Sequence, residues 1–329
     1  MSAPLALVAD IGGTNARFAL ATAQRAAPLI AGSVRQLAVH DFPSLVDAAQ
    51  HYVDSMRPIP GRLASGVFAV AGRVEGDQAL MTNHPWLISR AAAERSLGLE
   101  SLQLVNDFAA QAMAVGLLTD ADLGVVGTLG RQASHAGSRT YAVLGPGTGL
   151  GVSALIVRDG ISFALETEGG HTAFAPATVE EVAVLDRLLA EFGRVSNERL
   201  ISGGGLSNIQ LALAREAGDA AAPRLPPEHI TAAARGGDTL CQRAVEMFCS
   251  VFGAFAGDLV LTLGAWDGVF LTGGLVPKLL GELQRSGFRR RFEAKGRFSA
   301  AMARVPTLAV LHPQAGLLGA AAFALPPDQ

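Results

Sequence analysis

The chain has 329 residues, of which 50% are hydrophobic and 17% are charged, and its formal net charge is −3. This composition is that of a globular protein, and the length favours two domains over one. The charge balance argues against a nucleic-acid-binding protein. A Schiff-base enzyme has only Lys278 and Lys295 to draw on.

The ends and the cysteines indicate a cytoplasmic protein. Cys241 and Cys249 lie in a predicted helix, about 12 Å apart, which is too far for a disulfide bond, so we expect reduced core thiols. Residues 1–9 lack the cationic region of a secretion signal. The uncharged stretch 305–327 is broken at His312-Pro313-Gln314, which argues against a membrane span.

Strands and helices alternate along the chain, which predicts an α/β architecture. Strands are predicted at Leu5–Ala9, Ala16–Leu20, Gly66–Ala71, Leu80–Thr82, Ser101–Val105, Tyr141–Leu144, Val152–Val157 and Gly268–Thr272. Helices are predicted at Phe108–Leu118, at Val179–Phe192, from an N-cap at Asp238 onwards, and at Val276–Leu283. Two glycine-rich strand–turn–strand segments suggest a duplicated unit with a cleft between the copies.

The first glycine-rich turn runs from Asp10 to Asn15. Gly12 and Gly13 allow backbone N–H groups to approach an anion closely, and Thr14 and Asn15 add side-chain donors. Asp10 at the end of the strand is a candidate ligand for Mg²⁺, directly or through a water molecule. An ordinary hairpin turn uses the same residue types, and this alternative stays open for the turn taken alone.

The second glycine-rich segment spans residues 145–151, and it favours the phosphate-binding interpretation of both turns. A Walker A loop requires Gly-Lys, a dipeptide that the chain does not contain. A dinucleotide fingerprint fails in both frames, because Leu150 and Val152 stand where its last glycine is required. Gly273-Gly274 after a strand, and Gly203-Gly204-Gly205, are weaker candidates, since such pairs also mark simple turns.

Asn106 and Asp107 lie at a predicted strand-to-helix junction, where open α/β sheets bind ligands. Asp107 is a candidate general base for a sugar hydroxyl. Local sequence also allows Asp107 to be the N-cap of the helix that follows.

A polar turn with two glycines separates Glu168 from His171. Carboxylates accept hydrogen bonds from vicinal hydroxyls, so this turn suits a sugar site, although a lone histidine can also be structural. Zinc is disfavoured because no third ligand or H-E-x-x-H motif is present. Taken singly, Glu198 also fits a solvated surface acid, and Asn83 a pre-proline turn residue.

Together these segments resemble the bacterial glucokinases of the hexokinase and actin-like ATPase superfamily, over essentially the whole chain and in order. The matching segments are A-D-I-G-G-T-N-A-R at 9–17, M-T-N-H-P-W at 81–86, L-V-N-D-F at 104–108, G-P-G-T-G-L-G at 145–151, E-G-G-H at 168–171, E-R-L-I-S-G at 198–203, F-L-T-G-G-L-V-P-K at 270–278 and F-E-A-K-G-R-F at 292–298.

The resemblance implies roles for individual residues. It implies that Asp107 is the catalytic base. It also implies that glucose is bound by Asp107 together with Asn83, Asn106, Glu168, His171 and Glu198. It implies that ATP is held by Asp10, Gly12, Gly13, Thr14, Asn15, Gly147, Thr148, Gly149, Gly273 and Gly274.

The resemblance also implies a two-domain actin-like ATPase (ribonuclease H-like) α/β fold with a cleft between the domains. We expect a small domain at 1–117 plus 312–329 and a large domain at 118–311. The expected reaction transfers the γ-phosphoryl group of ATP to glucose with Mg²⁺, in a cytoplasmic homodimer that binds neither nucleic acid nor membrane. A kinase for another hexose or an N-acetylhexosamine, and a non-catalytic actin-like ATP-binding protein, are the alternatives.

Overall fold

The structure is a computed structural model and describes residues 4–81, 84–132 and 137–326. It divides into two compact units, the first formed by 1–119, 155–166 and 312–329 and the second by 120–154 and 167–311. The sequence-based boundaries put residues 155–166 in the large domain, whereas this division groups them with the first unit.

The strands, numbered in chain order, are β1 (Pro4–Ile11), β2 (Asn15–Ala21), β3 (Arg35–Ala38), β4 (Arg62–Val70), β5 (Gly72–Glu75), β6 (Gln78–Met81), β7 (Leu87–Ser89), β8 (Ser101–Asn106), β9 (Leu123–Val125), β10 (Arg139–Pro146), β11 (Leu150–Arg158), β12 (Ile161–Thr167), β13 (Gly268–Leu271) and β14 (Thr307–Val310).

The α-helices are α1 (Leu45–Ser55), α2 (Arg90–Leu97), α3 (Asp107–Ala114), α4 (Val179–Phe192), α5 (Gly203–Glu216), α6 (Pro227–Arg235), α7 (Thr239–Leu263), α8 (Leu280–Arg285), α9 (Phe288–Glu293), α10 (Ser299–Met302) and α11 (Ala315–Ala324).

The first unit is built on a five-stranded sheet in the order β3-β2-β1-β4-β8. Its central strand β1 is a nearly continuous apolar run, as expected for a strand covered on both faces. Strands β1, β4 and β8 are parallel, and Ile11 pairs with Val70, which pairs in turn with Asn106. The carboxyl ends of these three strands therefore lie level at one edge of the sheet.

Helix α11 packs on this sheet and crosses α3 at very short range. A Cβ atom at Gly319 would be 1.7 Å from the carbonyl oxygen of Ala110, so only glycine allows the two backbones to approach so closely. The C-terminal helix is in this way part of the first unit.

A six-stranded sheet in the order β12-β11-β10-β13-β14-β9 has its strands β10, β13, β14 and β9 in the second unit. Strands β10, β13 and β14 are parallel, with Leu144 opposite Leu271. Helix α7 is the central helix of the core, and it begins where predicted because the side chain of Asp238 accepts a hydrogen bond of 2.8 Å from the N–H of Cys241. Cys241 and Cys249 are free thiols buried in α7.

Helix α7 is long and apolar enough to cross a membrane by length and composition, but 78% of its most apolar window is buried within the protein. This burial is that of a core helix. Within residues 4–81, 84–132 and 137–326, no other helix meets both criteria, and α11 is shorter.

Three predicted segments differ from the structure. The helix predicted from Val276 is a 3₁₀ turn at Pro277–Leu279 followed by α8, because proline has no N–H and starts a helix better than it continues one. The helix predicted at Phe108–Leu118 ends at Ala114, two residues before Gly116. Gly203 to Gly205 form the first turn of α5, with Ser202 as its N-cap, instead of a simple turn.

Candidate functional site

The first glycine-rich turn is the tight β1–β2 hairpin. Its closing hydrogen bond of 2.9 Å runs from the N–H of Gly12 to the carbonyl of Asn15, and the exposed Thr14 stands at the tip. Gly12 and Gly13 do not have a positive φ, so left-handed backbone freedom is not what this turn requires of them. The absence of side chains at these two positions leaves the backbone of the turn open to close approach by an anion.

Asp10 lies on β1 directly opposite Arg17 on β2, and Asp10 Oδ2 is 3.3 Å from Arg17 Nη1. Burial raises the pKa of Asp10, and the Arg17 guanidinium offsets only part of that rise. The first turn of α11 also approaches this carboxylate at Gly316. Asp10 is thus a largely buried carboxylate held between one cation and a helix N-terminus.

Asn106, and not Asp107, is the N-cap of α3. Its Oδ1 accepts hydrogen bonds from the N–H groups of Phe108 (2.9 Å) and Ala109 (3.1 Å), and its Nδ2 donates to the carbonyl of Gly72 at 3.3 Å. The alternative in which Asp107 caps the helix is therefore wrong, because the neighbouring amide already occupies that position. Asp107 is the first residue of α3 and is half-buried.

The first glycine-rich turn and Asp107 lie at the same edge of the first unit's sheet. Ile11, which precedes the turn, and Asn106, which precedes Asp107, stand level with each other two strands apart. Neighbouring strands are spaced by about 4.8 Å, so their backbones are separated by roughly 10 Å. The first glycine-rich turn and the candidate base Asp107 are therefore close enough to act on one ligand.

In the second unit, the segments 147–149 and 273–274 follow the adjacent parallel strands β10 and β13. Gly273 has φ +85°, and a Cβ atom there would be 2.7 Å from the carbonyl oxygen of Pro146. Gly145 is similarly close to Thr272, with 2.3 Å from its Cβ position to the carbonyl oxygen. These glycines allow the two strand ends to touch backbone to backbone, which brings both candidate ATP-binding segments together.

Glu198 reaches the second glycine-rich turn. It lies in a 3₁₀ turn at Asn197–Arg199, and its Oε2 accepts a hydrogen bond of 2.9 Å from the N–H of Leu150. A Cβ atom at Gly149 would be 2.5 Å from the same oxygen. No local pattern connects Glu198 with this turn, since 48 residues separate the hydrogen-bonded partners.

Glu168, His171 and Glu198 form one polar cluster in the second unit. His171 Nδ1 is 3.9 Å from Glu198 Oε1, and His171 Nε2 is 3.9 Å from Glu168 Oε2. Asn197 ties the two chain segments together, because its Nδ2 donates to the carbonyl (3.1 Å) and hydroxyl (3.0 Å) of Thr172. Two acceptors and an imidazole arranged in this way suit a ligand with several hydroxyl groups.

Two further residues at these sites were assigned no role from the sequence. Glu166 Oε1 accepts a hydrogen bond of 3.4 Å from the N–H of Asn106. Gly316 has no side chain and therefore leaves room for the carboxylate of Asp10. The pairing of Glu166 with Asn106 spans 60 residues and has no local signature. Asn83, predicted to bind sugar, lies outside the described residues.

Known proteins match the chain over nearly its whole length. The family model described as Glucokinase matches residues 7–326. The glucokinase of Stenotrophomonas maltophilia (strain K279a) is 59% identical over 319 residues, 97% of this chain and 94% of the relative. That of Xanthomonas campestris pv. campestris (strain B100) is 58% identical over 320 residues, with the same coverage.

The crystal structure of a glucokinase from an Antarctic psychrotroph superposes with a TM-score of 0.85 at 35% identity, covering 97% of this chain and 98% of that one. These matches confirm the predicted family and the predicted α/β fold of the actin-like ATPase type. The chain belongs to the glucokinase family of ATP-dependent hexose kinases.

Proposed function

We propose that this protein transfers the γ-phosphoryl group of ATP to the 6-hydroxyl of glucose, giving glucose 6-phosphate and ADP. The observation that carries the proposal is the alignment of Ile11, Val70 and Asn106 in the first unit. It sets a turn suited to phosphate groups and a carboxylate suited to a hydroxyl at one sheet edge.

In the proposed reaction Asp107 accepts the proton of the 6-hydroxyl as the hydroxyl oxygen attacks the γ-phosphorus. The new O–P bond forms in line with the bond between the γ-phosphorus and the bridging oxygen. That bond breaks, and the bridging oxygen leaves as part of ADP. A phosphoryl transfer of this type relies mainly on alignment and charge stabilisation. Backbone N–H groups of Gly12 and Gly13, with the side chains of Thr14 and Asn15, provide donors for the phosphate oxygens.

The segments that follow β10 and β13 supply further nucleotide contacts in this proposal. Gly147, Thr148 and Gly149 bind phosphate groups, and Gly273 and Gly274 bind on the adenosine side. The compact contacts between the ends of β10 and β13 support a shared role for these two segments.

Glucose is proposed to be held by Glu168, His171 and Glu198, together with Asn83, Asn106 and Asp107. The Oδ1 of Asn106 caps α3, and one N–H of its amide donates a hydrogen bond to the carbonyl of Gly72. The other N–H of the amide is left for a sugar hydroxyl.

Magnesium is the proposed companion of ATP, and Asp10 is its proposed ligand. Within the described ranges 4–81, 84–132 and 137–326, no group of three or more His, Cys, Asp or Glu side chains is arranged as a metal cage. Mg²⁺ with ATP commonly uses one or two carboxylates, water and the phosphates, which a single carboxylate such as Asp10 fits. Bound there, the ion would neutralise phosphate charge in the transition state.

We also propose that the protein acts in the cytoplasm as a homodimer. The free thiols of Cys241 and Cys249 are consistent with a reducing compartment. Light scattering coupled to gel filtration tests the dimer, which a monomer mass would contradict.

A coupled assay of ADP release with ATP, Mg²⁺ and a panel of hexoses tests the activity. We expect kcat/KM to be highest for glucose, compared with mannose, fructose and N-acetylglucosamine. A higher value for another sugar would reassign the substrate, and ATP turnover that no sugar stimulates would contradict the proposal.

A further inference from the structure

Glu198 divides its two carboxylate oxygens between two neighbours. Oε2 accepts the N–H of Leu150 at 2.9 Å, and Oε1 faces His171 Nδ1 at 3.9 Å. The first neighbour belongs to the turn proposed to bind phosphate, and the second to the cluster proposed to bind sugar. One side chain therefore touches both parts of the second unit's candidate site.

The backbone near Glu198 is tied to the same turn by a second route. The hydroxyl of Ser202 donates to the carbonyl of Glu198 at 2.8 Å, and the N–H of Gly203 donates to the carbonyl of Gly147 at 2.9 Å. The segment carrying Glu198 thus holds both ends of the turn from Gly147 to Leu150.

Gly149 is the residue that lets Glu198 come so close. A Cβ atom at Gly149 would be 2.5 Å from Oε2 and 3.3 Å from Cδ of Glu198, whereas a Cβ atom at Gly147 would have nothing within 4 Å. The two glycines of one turn therefore differ: Gly149 is required by the carboxylate, and Gly147 has room for a methyl group.

We propose that Glu198 is a positioning residue through which sugar binding orders the phosphate-binding turn, so that glucose and nucleotide bind cooperatively. This inference rests on the proposed function. A carboxylate has about four acceptor positions, so Oε1 can accept a sugar hydroxyl while Oε2 keeps the N–H of Leu150.

The physical basis is the ordering of a half-exposed side chain. Glu198 retains 30% side-chain exposure and its contact with His171 is long, so among the described residues the N–H of Leu150 provides the close hydrogen bond that restrains its carboxylate. A hydroxyl bound at Oε1 restrains the carboxylate from the other side. The turn is then already ordered when nucleotide arrives, and the nucleotide loses less conformational entropy.

The test is a pair of calorimetric titrations with a non-hydrolysable ATP analogue and Mg²⁺, without glucose and with saturating glucose. The ratio of the two Kd values measures the coupling between the sites. For the wild type we expect glucose to lower the Kd of the analogue by at least about 5-fold. For Glu198→Gln, which has one acceptor oxygen in place of two, we expect less than about 2-fold.

Gly149→Ala tests the same link from the turn, and Gly147→Ala is its matched control. We expect Gly149→Ala to lose the coupling and to weaken glucose binding measured without nucleotide. Gly147→Ala should keep the wild-type coupling ratio and glucose affinity, whatever it does to the affinity for the analogue. Melting temperatures establish that all variants are folded.

A wild-type protein without coupling, or coupling that persists in both Glu198→Gln and Gly149→Ala, would overturn the inference. A purely structural role would lower the melting temperature and both affinities while leaving the coupling ratio unchanged. Failure of the proposed function has a different signature, which is a wild-type protein without glucose-dependent phosphoryl transfer.

Discussion

Gly316 of helix α11 lies directly against the carboxylate of Asp10. A Cβ atom at position 316 would be 2.5 Å from Oδ2 and 2.6 Å from Cγ of Asp10. Residue 316 is in the first turn of its helix, where unpaired N–H groups and the helix dipole favour a negative charge. The position of the proposed magnesium ligand therefore depends on a glycine some 300 residues further along the chain.

Replacing Gly316 by alanine should displace the Asp10 carboxylate. We expect a loss of about 1–3 kcal/mol in the free energy of unfolding from the forced overlap, and a fall in kcat/KM for ATP. Urea denaturation and steady-state kinetics measure the two effects.

The double variant Asp10→Ala/Gly316→Ala separates the two effects. It should recover most of the stability, because the overlapping carboxylate is gone, but not the activity. A Gly316→Ala protein as stable and active as the wild type would show that Asp10 is not confined as described.

Arg17 should influence the pH below which activity is lost, because it lowers the pKa of Asp10. Burial raises the pKa of Asp10, and Arg17 lowers it in part. Arg17→Gln removes the lowering influence, so the pKa of Asp10 should rise further. If Asp10 must be ionised to hold Mg²⁺, the acid limb of the kcat/KM profile for ATP should move to higher pH.

The effect of Arg17→Gln on the free energy of unfolding should also depend on pH. The pKa of Asp10 is higher in the folded than in the unfolded protein. The contribution of Asp10 to the free energy of unfolding is therefore greatest at low pH and is lost as the pH rises through the folded-state pKa. Arg17→Gln should therefore destabilise the protein more at neutral than at acid pH. Arg62→Gln, an exposed charge control, should shift neither profile. An unshifted acid limb in Arg17→Gln would remove Asp10 from the magnesium assignment.

The ion pair between Arg291 and Glu181 is buried and should be costly to break. The side chains retain 13% and 2% exposure, and Glu181 Oε2 also accepts the N–H of Ala177 at 2.7 Å. Arg291→Leu leaves this carboxylate without its cation, so we expect about 3–5 kcal/mol of destabilisation. Urea denaturation measures it.

A more exposed pair provides the comparison. Arg187 and Glu216 keep 50% and 37% side-chain exposure, so Arg187→Leu should cost about 1 kcal/mol or less. Equal losses for Arg187→Leu and Arg291→Leu would mean that burial does not determine the strength of the two pairs.

Local signals in the sequence were sufficient where neighbours along the chain determine the structure. The apolar stripe at Val179–Phe192 and the N-cap at Asp238 predicted α4 and the start of α7 correctly. Both depend on contacts within one or two helical turns.

The same signals were insufficient where distant segments decide. Asn106 and Asp107 are both good cap residues, and the choice falls to Asn106, whose amide also reaches the carbonyl of Gly72, 34 residues earlier. The bond from Leu150 to Glu198 and the confinement of Asp10 by Gly316 likewise join segments far apart in sequence. Motif resemblance supplied the candidate site residues, which stay a prediction, but it did not supply these supporting contacts.

The cap at Asn106 has its own measurable consequence. Asn106→Ala removes an acceptor of two helix N–H groups, so we expect a loss of about 1 kcal/mol in stability. Asn106→Asp keeps an acceptor at the cap and should retain most of that stability. Equal stability of Asn106→Ala and the wild type in thermal unfolding would contradict the cap.

The kinetics of Asp107→Asn test the central assignment most directly. This change keeps the shape of the side chain. Because Asn106 and not Asp107 is the N-cap, it should lower the free energy of unfolding by no more than about 1 kcal/mol, from the lost charge at the helix N-terminus. We expect glucose to bind with near wild-type affinity in calorimetry while kcat falls about 10²- to 10⁴-fold. A folded Asp107→Asn protein that phosphorylates glucose at the wild-type rate would show that Asp107 is not the base.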